Sequence, residues 1–373
     1  SYHFHYNYNT ISVREYLQEG ENTIAVHTLY QGLINRVWQS GDNRHGLILD
    51  LCMEDKVLVS SDESFKTAVH SAYTEMGTCG YDTQFLERYD STAAEVGFEK
   101  DDFDDTDWQN AKPCQYDDHT LVAQTSSMLE FETVFPIKTT ALDGKILYDF
   151  GSNYVGYLVV CARGKKGDKV IVKCGQELHD DGNIRSHLRA NCNYEEEWIL
   201  SDGESRLDWF DYKSFRYAEL SLPDGAKIEK IFLYARHYPF TLHTRLKPEF
   251  SDNETLKSIW KLCIHTQKYG VQEVIQDCME REKGYYLGDG CYSLLTFCLL
   301  TRDYTLMEKF FDDFLRTAFV NRGLMTCAAC SFMQEIAEYP LIMFGLLLEY
   351  CHLSGNRDFV RERYAAFADI LDF

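Results

Sequence analysis

The chain has 373 residues, with 37 Lys and Arg against 59 Asp and Glu, giving a formal net charge of −22. Hydrophobic residues at 45% and aromatic residues at 14% exclude a disordered chain, because that much apolar surface supports packed cores. The acidic balance excludes a broad nucleic-acid or anionic-membrane surface, which needs clustered Lys and Arg, and the length suggests two or three domains.

Residues 1–125 alternate apolar and polar positions in short runs, as at Tyr2 to Tyr8, Asn22 to His27 and Lys56 to Ser60. Gly and Asp turns separate the runs, which predicts a β-sandwich of jelly-roll type, expected to be incomplete at its start. The acidic stretch Asp101 to Asp107 lacks the Gly and distal Glu of an EF-hand loop, so it reads as a solvated turn before Trp108 rather than a calcium site. Residues 126–245 predict a second sandwich, with strands at Lys145 to Phe150, Tyr157 to Cys161, Lys169 to Lys173, Phe215 to Leu220 and Lys230 to Tyr234 and a turn at Gly164 to Asp168.

From residue 246 to 373 the period changes. Ser251 to Glu254 has the form of a capping box, followed by Leu256, Ile259, Trp260 and Cys263 at helical spacing. Further helices are predicted over 290–301, 304–319, 340–353 and 357–373. The last runs into Phe373 without a Gly or Asn stop, so the helical domain is expected to be truncated. Apolar faces such as Leu294 to Leu300 and Leu341 to Leu348 are then expected to lie uncovered, and the 373-residue chain alone to be poorly soluble and inactive.

The thirteen cysteines are odd in number and irregularly spaced, which suits reduced thiols and a cytoplasmic location better than a disulfide framework. The chain opens at Ser1 with no charged-then-apolar leader, and no apolar run approaches the ~18 residues that span a bilayer. Cys327 and Cys330 form a lone CxxC, and His179 and His187 have no partners at ligand spacing. Dinucleotide, P-loop and serine-hydrolase motifs are absent from the sequence, so the reading calls for no metal and no cofactor.

The chemistry-bearing stretch is Gln276 to Asp289, which crowds Asp277, Glu280, Glu282 and Asp289 around Arg281 and two tyrosines. Glycosidases need one carboxylic acid to protonate a leaving oxygen and a second carboxylate acting on the sugar or on water. Crowded carboxylates raise one another's pKa, and aromatic faces stack on sugars. By composition alone the stretch also fits a solvated acidic loop.

Asp277-Cys278, Arg281-Glu282, Gly284 and Gly288-Asp289 resemble the signature of bacterial α-L-rhamnosidases, glycoside hydrolase family 78. Tyr148 to Gly151, Gly175 to Leu178, Phe215 to Tyr217 and Phe250 to Asp252 resemble that family's accessory β-domain and barrel entrance, and Gly20 to Val26 and Phe103 to Trp108 its N-terminal module. The resemblance implies two β-sandwich modules followed by the first part of an (α/α)6 barrel, and release of terminal α-L-rhamnose from a rhamnose-containing glycoside by inverting single displacement. It makes Glu282 the general acid and places the base beyond residue 373. Asp277 and Asp289 would hold rhamnose hydroxyls and tune that acid, with Arg281 a further substrate-binding residue. Tyr286, where the family usually has Trp, would stack on the sugar, and Glu338 and Tyr339 match a stretch that faces it. Met279 stands where the family usually has Pro. A non-catalytic carbohydrate-binding protein and a family relative acting on another sugar are the competing expectations.

Overall fold

A computed structural model describes residues 5–30, 32, 44–114, 118–207, 209–319, 321–329 and 334–373. Its first part contains β1 (His5–Tyr8), β2 (Asp50–Met53), β3 (Lys56–Ser60), β4 (Lys66–Thr67), β5 (Tyr73–Cys79), β6 (Gln84–Asp90), β7 (Gln109–Asn110) and β8 (Thr120–Ala123). Three small pairs form here: β1 with β8 in parallel, and β2 with β3 and β4 with β7 antiparallel. The run Asn22 to His27, expected as a strand, is irregular. Its alternating Ile24 and Val26 stay exposed, while the His27 imidazole at its end stacks on His70 at 4.9 Å and meets the edge of Phe210 at 4.7 Å. The turn around Asp101 is exposed, and that carboxylate accepts hydrogen bonds from Thr23 at 2.7 Å and Gln18 at 3.1 Å.

The middle part contains β9 (Glu130–Val134), β10 (Lys138–Leu142), β11 (Lys145–Gly164), β12 (Lys169–Gly175), β13 (Glu195–Ile199), β14 (Gly203–Leu207), β15 (Lys213–Ser221) and β16 (Lys227–His237). They form one large sheet in the order β5-β6-β13-β12-β15-β11-β16-β9, with β10 and β14 also pairing with β11. The twenty-residue β11 spans two of the expected strands and bends at a register shift between Asp149 and Tyr154. The β5–β6 hairpin joins this sheet through a parallel pairing of β6 with β13. Its core, which includes Phe150, Leu158, Trp198, Phe215 and Leu220, is fully dry, as expected of strands apolar on the inner face.

Six helices follow among the described residues: α1 (Glu254–Gly270), α2 (Leu287–Thr301), α3 (Thr305–Leu315), α4 (Glu338–Ser354), α5 (Arg357–Glu362) and α6 (Tyr364–Asp372). The expected capping box at Ser251 is corrected by two residues. Asn253 is the N-cap and accepts the Leu256 N–H at 3.0 Å, while the Ser251 hydroxyl turns back to the Pro248 carbonyl. The helix expected over 357–373 breaks at Arg363, whose guanidinium covers the Phe359 ring at 3.8 Å and bonds Asp312 at 3.0 Å. The helices share a core of Leu287, Leu294, Phe297, Phe310, Phe311 and Tyr350. Of the apolar stretches expected to lie open, Leu294, Phe297, Leu346 and Leu347 are buried, whereas Leu299, Leu341 and Leu348 are exposed. No helix among the described residues is long and apolar enough to cross a membrane.

Candidate active site

Between α1 and α2 the chain crosses from the helical core to the edge of the large sheet and back. Gln276 is buried and exchanges hydrogen bonds with the Tyr212 hydroxyl at 2.9 and 3.0 Å. Asp277 and Gly284 then close a loop on themselves: the Asp277 N–H donates to the Gly284 carbonyl at 3.0 Å, and the Gly284 N–H donates to Asp277 Oδ1 at 2.9 Å. Everything from Cys278 to Lys283 projects from that closure, so its position depends on what holds the tip.

The β5–β6 turn holds it. The Arg281 carbonyl accepts from the Tyr81 N–H at 3.1 Å and the Thr83 hydroxyl at 2.9 Å, and the Glu280 carbonyl accepts from Gln84 Nε2 at 2.9 Å. Gly80, at φ +67°, lets the turn approach this closely: a Cβ there would sit 2.2 Å from the Arg281 oxygen. Lys283 provides the second anchor. Its ammonium is fully buried, lies 3.8 Å from the Tyr212 ring centre, and donates to both Asp211 oxygens at 3.1 Å and to the Tyr212 carbonyl at 2.9 Å. Burial pushes the Lys283 pKa down, while Asp211 opposes the shift. Its φ of +50° is uncommon outside glycine, so this anchor holds the backbone next to Glu282 in a strained form.

With the loop fixed, the acidic side chains separate by environment. Glu282 is largely covered. Its Oε2 accepts from the Tyr286 hydroxyl at 2.8 Å, and its Oε1 lies 3.5 Å from Arg281 Nε. Asp277 is pushed up first by burial and further by the Glu282 charge, against the downward pull of the Gly284 N–H. Glu280 is committed elsewhere: Gln176, just after β12, donates to it, and Arg281 stands at 3.8 Å. Tyr286 is only 8% exposed, so its ring offers little face for stacking, and its hydroxyl donates to Glu282. The ring packs against Gly284, and its backbone bridges to Ala328.

Asp289 lies exposed in the first turn of α2, where the helix dipole favours a carboxylate. The Tyr339 ring packs over Gly288 beside it; a Cβ on that glycine would stand 2.5 Å from the ring. Burial raises the Tyr339 pKa, and Asp289, Glu338 and Asp277 add to the effect through their charges. Glu338 is exposed at the first residue of α4. The structure thus bonds Tyr286 to Glu282, sets Asp277 within reach of the Glu282 charge, leaves Asp289, Tyr339 and Glu338 alongside, and turns Arg281 towards both of its neighbouring glutamates. Cys327 is buried against Tyr286 and Tyr339, while Cys330 lies outside the described residues. No group of His, Cys, Asp and Glu suited to a metal ion occurs among the described residues.

Two sequence families match the chain: the bacterial α-L-rhamnosidase concanavalin-like domain over residues 139–234, and the α-L-rhamnosidase N-terminal domain over residues 1–132. The chain belongs to the bacterial α-L-rhamnosidase family. The helical region that carries Glu282 lies outside both matched segments. No curated protein matches the chain significantly. Among solved structures, the α-L-rhamnosidase of Dictyoglumus thermophilum superposes with a TM-score of 0.72 at 21% identity, over 86% of this chain and 36% of its own. The native enzyme of Aspergillus terreus gives 0.71 at 16% identity, over 86% and 37%. The Streptomyces avermitilis enzyme complexed with L-rhamnose gives 0.68 at 20%, over 84% and 30%. The chain therefore spans about a third of the length of these rhamnosidases, and the likeness establishes the order of β domains followed by helices.

Sequence reasoning missed Gly80, Thr83, Gln84, Asp211 and the burial of Lys283. Each acts on the loop from another part of the chain, and Thr83 and Arg281 are 198 residues apart. A lysine next to Glu282 was the one available signal, and a lysine in an acidic loop reads first as a solvated charge.

Proposed function

We propose that these residues form the acid half of an α-L-rhamnosidase site that releases terminal α-L-rhamnose by single displacement with inversion. The observation that carries the reading is the bond from the Tyr286 hydroxyl to Glu282, set beside Asp277 and Asp289 on a loop clamped at both ends. A general acid must keep a defined direction towards the glycosidic oxygen, and the Tyr286 bond fixes one oxygen of Glu282 while Arg281 stands 3.5 Å from the other. Asp277, whose proton affinity is raised by burial, and the exposed Asp289 would accept hydrogen bonds from sugar hydroxyls, with Tyr339 and Glu338 bordering the same side. A second carboxylate, which the family supplies from later in the barrel, would activate water on the opposite face.

The test is to follow hydrolysis of nitrophenyl α-L-rhamnoside by the intact protein with proton NMR. The reading expects β-L-rhamnose as the first anomer, equilibrating afterwards. First release of the α anomer would replace inversion with retention, and no release of rhamnose would reject the activity.

A further inference from the structure

A cleft of about 160 Å³ opens beside the loop that carries Glu282, lined by Gln176, Glu177, Arg185, Arg189, Glu280 and Arg281. Three guanidinium groups meet two carboxylates there, in a chain whose overall charge is strongly negative. Most of these charges are already committed. Arg185 donates to Glu177 at 2.9 Å, Gln176 donates to Glu280, and Arg281 lies between Glu280 and Glu282. The exposed Arg189 guanidinium has no hydrogen bond and no ion pair among the described residues, although its charge reaches Glu280.

Arg189 is also held in place. It begins a tight turn closed by the Cys192 N–H on the Arg189 carbonyl at 3.2 Å, with a bridge between His187 and Asn193 behind it. The central residues Ala190 and Asn191 have φ of +57° and +56°. An alanine tolerates that conformation only when the surroundings impose it. They do: the Asn191 carbonyl accepts the Gly80 N–H at 2.9 Å, and its side-chain amide donates to the Thr78 carbonyl at 3.3 Å. The β5–β6 turn that clamps Arg281 therefore also fixes the turn that presents Arg189.

Given the rhamnosidase reading above, on which this inference rests, the cleft has a direction. A general acid protonates the leaving oxygen, so the leaving group lies on the acid's open side. Glu282 has Tyr286 against one oxygen and Arg281, the wall of the cleft, near the other. We propose that the cleft holds the leaving sugar and that Arg189 selects one bearing a carboxylate, a uronic acid. The planar fork of a guanidinium matches a carboxylate with two parallel hydrogen bonds.

The experiment compares kcat/KM of the intact protein for a rhamnosyl glucuronate and the matching rhamnosyl glucose. The acidic substrate is expected to lead by about two- to fivefold at low salt, the scale of an exposed charge-assisted pair, and the lead should shrink as salt screens it. Arg189→Ala should bring the ratio close to one, and Arg189→Lys, which keeps charge but loses the fork, should retain part of it. Equal rates in the wild type, or a ratio unchanged in Arg189→Ala, would overturn the proposal. Binding of methyl glucuronide, followed by saturation-transfer NMR with methyl glucoside as control, reads the cleft without catalysis. Loss of the glucuronide signal in Arg189→Ala supports the subsite even if no rhamnoside is hydrolysed, an outcome that rejects only the rhamnosidase reading. No preference for glucuronide in the wild type rejects the subsite itself.

Discussion

Replacing Gly80 by alanine tests whether the sheet sets the position of the loop that carries Glu282. The added Cβ would lie 2.2 Å from the Arg281 carbonyl oxygen, and 3.4 Å is where ordinary contact begins. The turn and the loop must therefore part by about 1.2 Å, because packed interiors do not absorb such an overlap. That displacement stretches the bonds from the Tyr81 N–H and the Thr83 hydroxyl to the same oxygen. Each is worth about 0.5–1.5 kcal/mol, and alanine at φ +67° adds about 1–2 kcal/mol of backbone cost. The sum is a loss of roughly 2–5 kcal/mol when the clamp opens, and the opening carries a loop shift of about an ångström. A shift of that size at a positioned acid typically costs about 100-fold in rate. Urea unfolding and kcat/KM on nitrophenyl rhamnoside, measured on the same preparation, read both effects. A Gly80→Ala protein with wild-type stability and wild-type rate would refute the claim that this turn holds the loop.

Lys283→Met should destabilise the protein by about 3–5 kcal/mol, the usual cost of leaving a buried charge without its partner, here Asp211; a midpoint of urea unfolding within error of wild type would show that Lys283 is no anchor. Glu87, buried between the Phe210 and Asp211 N–H groups, has its pKa raised from 4.5 to about 7, chiefly by burial. The folded protein keeps that proton where the unfolded chain has lost it, so this group's contribution to stability falls as pH rises from about 4.5 through about 7. Glu87→Gln removes the slope, although its amide must face a backbone N–H and so carries a constant penalty. The melting temperature of the variant relative to wild type should therefore climb between pH 5 and pH 8 (about the span of the two pKa values), and a constant difference would reject the assignment.

The local rules were legible in the sequence. Alternation located β3, β12, β15 and β16, and apolar spacing located α1 to α4 to within a few residues. In β12, β16 and the helices those signals report which face of a segment is buried, whereas β3 forms with both faces exposed. What alternation cannot report is a partner strand, which is why Asn22 to His27 read as a strand and β5–β6 could not be seen to join the large sheet. The candidate site divides the same way. Asp277, Glu282 and Tyr286 stand close enough in the chain for one turn to gather them, whereas Glu280, in the same acidic run, faces away to Gln176. Which carboxylate points where is decided by Gly80, Asp211 and Asn191, far away in sequence, and by a left-handed Lys283 that no propensity announces.

The central claim is that Glu282 donates the proton to the leaving oxygen, and the most direct measurement is the leaving-group dependence of Glu282→Gln. The substitution keeps the shape and can keep the Tyr286 hydrogen bond, but it removes the acidic proton. On a rhamnosyl disaccharide, whose alkoxide leaves poorly, kcat/KM should fall by about 100- to 10,000-fold. On nitrophenyl rhamnoside, whose phenolate needs little assistance, the fall should be small. Equal losses on both substrates would contradict the account and move the proton donor elsewhere.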